Sequence, residues 1–254
     1  MMRLRVGAWW LLALLLLPVL VPQALRTRRR ALRLAPAAGP QQGLAGAEFA
    51  GPALRVLLLG ESTVAGVGVA CQTQGLAARL AHALAEQQRR PVAWQACGEN
   101  GITASQACTR LLPQALAAQA DLLLLVFGVN DSTQLSSLRS WRQALTCMTQ
   151  ALQAQGAQVA FTAVPPLQHF SALPWLLRRV LDLRGALLDR QLRAVARQLG
   201  ASYCPVALEF TADYLAVDGY HPSQLGYQVW ASGLAPQLLS QQLLSQQQSA
   251  ASVG

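Results

Sequence analysis

The chain has 254 residues, enough for one sizeable α/β domain with an appendage and too few for two large domains. A hydrophobic share of 53% against a charged share of 12% excludes a disordered, highly charged chain. The net charge of +9 does not mark a nucleic-acid partner, because residues 1–33 hold seven arginines and no acid while the remainder holds 13 arginines against 11 acids.

Val6 to Leu25 is a run without charge that holds Trp9 and Trp10 near one end and is closed at the other by Arg26 to Arg30. As a helix it spans roughly 30 Å, the thickness of a bilayer core, so residues 1–33 are expected to be a membrane anchor made of one N-terminal transmembrane helix. A cleaved signal peptide is the alternative reading. Arg3 and Arg5 precede the run and five arginines follow it, so the positive-inside rule puts the following domain on the cytoplasmic side, an exported domain being the other orientation. Residues 34–53, rich in Ala, Gly and Pro, read as a linker, and a domain is expected over 54–244.

Within that domain apolar strands alternate with helices. Strands are predicted at Arg55–Leu59, Val92–Ala96, Asp121–Phe127, Gln158–Ala163 and Ala201–Cys204. Helices are predicted at Gln72–Gln88, Ser105–Gln119, Leu138–Gln155, Pro174–Leu199 and Ser223–Leu244, with a polar, disordered tail at 245–254. The pattern is that of a parallel sheet covered on both faces. The five cysteines (Cys71, Cys97, Cys108, Cys147, Cys204) show no CxxC spacing and no paired histidine, so no zinc site is expected. Cys97 and Cys108 are either bridged in an oxidising compartment or buried as small apolar side chains.

Ligands of open α/β sheets bind beyond the carboxyl ends of the strands, and three marked segments fall there. They are Gly60-Glu61-Ser62, Gly98-Glu99-Asn100-Gly101 and Gly128-Val129-Asn130-Asp131. Near the C-terminus, Asp218-Gly219-Tyr220-His221 supplies what a serine nucleophile needs, a base with a carboxylate to orient it. The other two histidines lie in a predicted helix (His82) and in a Pro-rich loop (His169).

Together these four blocks resemble the SGNH, or GDSL-type, serine hydrolase family over residues 54–240. The resemblance implies a flavodoxin-like three-layer α/β/α sandwich with a five-stranded parallel sheet, and hydrolysis of acyl esters or thioesters with neither a metal nor a cofactor. It implies Ser62 as nucleophile, His221 as general base and then acid, and Asp218 as its orienter. The oxyanion hole would be the Ser62 N–H, the Gly101 N–H and the Asn130 amide, with Gly98 the competing glycine of the second block. Glu61 stands where the family usually has Asp. The glycine after Ser62 comes only at Gly66, so no Gly-x-Ser-x-Gly elbow is present. The stretch from Val164 to Pro174 resembles the loop that walls the substrate site. A lipase-like or esterase-like hydrolase of lipid or other small acyl esters is the first expectation. A glycan O-deacetylase, an acyl thioesterase and an inactive membrane-tethered binding module are the alternatives.

Overall fold

The longest apolar runs become the central strands. A computed structural model of the chain describes residues 2–205 and 211–251. Its sheet strands are β1 (Gln42–Ala45), β2 (Leu54–Gly60), β3 (Val92–Gly98), β4 (Leu122–Val126), β5 (Gln158–Thr162) and β6 (Ser202–Cys204), ordered β1-β3-β2-β4-β5-β6. All five predicted strands are present and parallel. The sheet nevertheless differs from the expected five-stranded parallel one. β1, from within the expected linker, adds a sixth strand antiparallel to β3, with Gln42 opposite Gln95 and Ala45 opposite Val92. Three of its four residues are exposed, so it has no core-facing alternation to betray it; the open edge of β3 supplies its hydrogen bonds.

Successive side chains of β2 and β4 point to opposite faces, which makes the sandwich three-layered. Leu57, Leu59, Leu123 and Leu125 enter one apolar core and Val56, Leu58, Leu122 and Leu124 the other. The second core is covered by α3 (Leu76–Gln88) and α9 (Gln224–Ala251). The first is covered by α4 (Ala104–Arg110), α5 (Leu112–Ala117), α7 (Leu138–Gln153) and α8 (Trp175–Leu199). A single predicted helix over 105–119 is thus two, parted at Leu111. Pro113 opens α5 in its first turn and has no N–H with which to continue α4. The polar segment 245–254 continues α9 as far as Ala251, and 252–254 lie outside the described residues.

The N-terminal segment departs most from expectation. It forms two helices, α1 (Met2–Leu15) and α2 (Leu17–Arg30), which meet at 78°. Among the described residues no single helix is long and apolar enough to cross a membrane, although the bent pair passes that test by length and composition. Pro18 sits in the first turn of α2, where its ring and missing N–H break the helix that the hydropathy suggests. The pair packs on α8: the Trp9 indole donates to the Val180 carbonyl at 2.9 Å, and Leu177 N–H donates to Gln23 Oε1 at 3.2 Å. All five cysteines are free; Cys97 is buried, and Cys108 lies within contact of Cys147.

Candidate active site

In the five parallel strands the order reverses between β3-β2 and β2-β4, and crevices form at such switch points. Ser62 follows β2 and Asn130 follows β4, so both stand at that crevice. A cavity of about 190 Å³ opens there, lined by Ser62, Asn100, Asn130 and His221 together with apolar side chains that include Phe170, Leu215 and Trp230. Pro165 and Phe170 come from the predicted wall loop and do line it. His82 and His169 do not line it.

His221 reaches the cavity through a tightly bonded loop. Its Nδ1 lies 2.6 Å from Asp218 Oδ2, while Asp218 Oδ1 accepts the backbone N–H groups of Tyr220 at 3.0 Å and His221 at 3.1 Å. Burial by itself would raise the Asp218 pKa, but these bonds, the His221 ring first, outweigh it and hold the carboxylate below its ordinary value. Asp218 therefore stays charged beside the His221 ring. The His221 loop meets the Ser62 turn at Gly68, whose φ is +106° and where a Cβ would come within 2.3 Å of the Pro222 carbonyl. The buried Tyr227 hydroxyl donates to the Val67 carbonyl at 2.7 Å, tying α9 to the same turn. No hydrogen bond joins Ser62 to His221 among the described residues; in unliganded hydrolases that contact is commonly long and tightens with substrate.

Three potential oxyanion donors flank the serine. The backbone N–H groups of Ser62 and Gly101 make no hydrogen bond among the described residues. The Asn130 amide donates to the Ile102 carbonyl at 3.1 Å and retains a second hydrogen. Gly101 is exposed and does not itself line the cavity, whereas its neighbour Asn100 does. Its turn is held beside Asn130, since Gln134 Nε2 donates to the Gly101 carbonyl at 2.7 Å and Arg110 pairs with Glu99 at 2.7 Å. Gly98 is packed against the backbone of Val64 and Ala65, a structural position.

Glu61 departs from the Asp usual in the family the sequence resembles, and its role is tertiary. The carboxylate accepts Val129 N–H at 3.0 Å and Asn130 N–H at 2.9 Å, so the end of β2 is clamped to the short helix α6 (Val129–Thr133) that carries Asn130. Gly128 allows that helix to start, with φ +133° and Val164 where a Cβ would be. Asp131, fully buried, accepts Ala104 N–H at 2.9 Å and so fixes the start of α4. Burial pushes the Glu61 pKa up to about 8, with the nearby Asp131 adding to it and the two N–H bonds opposing it. A folded-state pKa above the unfolded one means the native protein retains a proton the unfolded chain has released. Stability from this group is complete below about pH 4.5 and is lost as pH rises to about 8. Glu61→Gln, which resembles the neutral acid, is expected to remove that fall, on the order of 1.4 kcal/mol per pH unit, so the melting temperature of the native protein drops relative to that of the variant between pH 5 and 8. Parallel melting curves across that range would show Glu61 ionised throughout.

The sequence matches the model of the GDSL-like lipase/acylhydrolase family over residues 58–229. It is 25% identical over 182 residues to a GDSL-like esterase, Rv1075c, of Mycobacterium tuberculosis, covering 68% of this chain and 58% of that protein, so it spans little more than half of the relative's length. Similar solved structures include TesA (TM-score 0.61, 23% identity, 74% of this chain and 99% of that one). Another is the psychrotrophic esterase EstA from Pseudoalteromonas sp. (TM-score 0.59, 18% identity, 74% and 98%). At those identities the structures speak for the fold alone. With a family model spanning most of its length and the four blocks gathered at one crevice, the chain belongs to the GDSL-like lipase/acylhydrolase family.

Proposed function

We propose that the chain is a serine hydrolase of carboxylic esters, with Ser62 as nucleophile, His221 as base and Asp218 as orienter. The observation that carries this reading is the Asp218–His221 pair at 2.6 Å on a cavity that also holds Ser62 and Asn130. Ser62 Oγ attacks the ester carbonyl while His221 Nε2 takes its proton. Negative charge then develops on the carbonyl oxygen, which the Ser62 and Gly101 N–H groups and the Asn130 amide receive. Collapse of the tetrahedral intermediate expels the alcohol, which takes the proton from His221 and leaves Ser62 acylated. Water, deprotonated by His221, attacks the acyl-enzyme and releases the acid and free Ser62. The apolar side chains of Phe170, Leu215 and Trp230 favour an acyl chain over an acetylated sugar as the group bound. Covalent labelling by a fluorophosphonate, mapped to the Ser62 peptide, tests the assignment; a chain inert to the probe would instead be a binding module.

Residues 2–30 fit the same reading as an attachment to a bilayer. Leu4, Leu11 and Leu15 are exposed on the N-terminal helices, and Arg26, Arg28, Arg29, Arg30 and Arg33 follow with charge suited to anionic lipid head groups. The arginine imbalance around Val6–Leu25 favours a domain facing the cytoplasm. Alkaline phosphatase fused after residue 45 and expressed in a bacterial host is then expected to be inactive; strong activity would reverse the orientation.

A further inference from the structure

At Thr133 and Tyr220 the catalytic cavity adjoins a second space. Both residues line the cavity on one side and line that larger cleft, of about 510 Å³, on the other. That cleft runs between the N-terminal helices and α8. Trp10, Leu14 and Val21 form one wall, and Leu177 and Leu181 the other. Tyr220 is fixed at the junction by an edge-on contact with Phe170, ring centroids 5.9 Å apart, and is the residue next to His221.

We propose that this cleft is the acyl-chain site of the enzyme, so that an ester carbonyl held at Ser62 sends its hydrocarbon between Thr133 and Tyr220 to lie against α1, α2 and α8. The inference rests on the ester hydrolase reading and adds the substrate class, esters of long-chain acids. Three observations support it. The cavity at Ser62, at about 190 Å³, is small beside the cleft it adjoins. The two spaces share Thr133 and Tyr220 as lining residues, so the apolar cleft lies directly beside the cavity that holds Ser62. The cleft is walled by a segment whose other face is apolar and exposed, as expected where a lipid chain passes from a bilayer to a buried serine. The bent helix pair would then be both attachment and half of the substrate site.

The test uses the full chain and p-nitrophenyl esters from acetate to laurate. Each methylene moved from water into the cleft is expected to raise kcat/KM by roughly fourfold until the cleft is filled. Ala24→Trp, at a position that lines the cleft but not the cavity at Ser62, is expected to flatten that rise while leaving acetate turnover within about twofold. As a measurement that needs no variant, a dodecyl fluorophosphonate with a terminal diazirine, bound at Ser62 and irradiated, is expected to cross-link within residues 10–24 or 173–181. Normal acetate turnover without a rise with chain length, an equal rise in Ala24→Trp, or cross-links confined to other segments would overturn the acyl-chain site alone. A chain inert on every ester, acetate included, would overturn the hydrolase reading and this site with it.

Discussion

Ser62→Ala is expected to lower kcat on short aryl esters by about 10⁴-fold or more, an increase of roughly 5.5 kcal/mol in the barrier, with little change in KM. The magnitude follows from what the substitution leaves. The oxyanion donors still polarise a bound carbonyl, and Asp218 still orients His221, but no oxygen is positioned to form the covalent intermediate. The fold should not notice. Ser62 sits at 8% exposure with no side-chain hydrogen bond among the described residues, so its replacement orphans no partner, and melting temperature is expected to stay within a few degrees. Loss of fluorophosphonate labelling should accompany loss of turnover. Undiminished turnover in a protein that melts normally would remove Ser62 from the chemistry.

That serine was legible because the residues around it obey local rules. Uninterrupted apolar runs such as Leu122–Val126 announce strands buried on both faces, and chemistry-bearing residues directly after such runs mark the crevice of a parallel sheet. Asp218 and His221 were legible for a similar reason, being three positions apart and able to bond within a single turn. What was not legible depends on partners remote in sequence. β1 has no alternation of its own and is a strand only because β3 offers an open edge. Val6–Leu25 has the hydropathy of a bilayer span, but hydropathy cannot distinguish lipid from α8, on which Trp9 and Gln23 find hydrogen-bond partners. Glu61 is an irregularity beside Ser62 in the sequence, while its work, receiving the N–H groups that start α6, is visible only across 68 and 69 residues of chain. Thr133 and Tyr220 carried no signal, because lining two cavities is a property of the assembled loops.

Asp218→Asn is expected to lower kcat by about 10⁴-fold while preserving the fold, and the hydrogen bonds of the loop say why. Oδ1 of Asp218 accepts two backbone N–H groups, from Tyr220 and His221. An asparagine must leave its carbonyl oxygen in that place, since the amide nitrogen there would face two donors with a donor of its own. The NH₂ group is therefore directed at His221 Nδ1, the atom that Asp218 Oδ2 meets at 2.6 Å. Offered a donor, Nδ1 must accept, and the ring proton moves to Nε2, the nitrogen required to take the proton of Ser62. The base is then blocked without being displaced. Asp218→Ala, by contrast, leaves the Tyr220 and His221 N–H groups without acceptors and is expected to lose stability as well, on the order of 1–3 kcal/mol for each buried donor left unpaired. Kinetics and melting temperatures of the two variants separate these effects. An asparagine variant with near-normal kcat would show that the tautomer of His221 does not limit the reaction, and would leave Asp218 a structural residue of its loop.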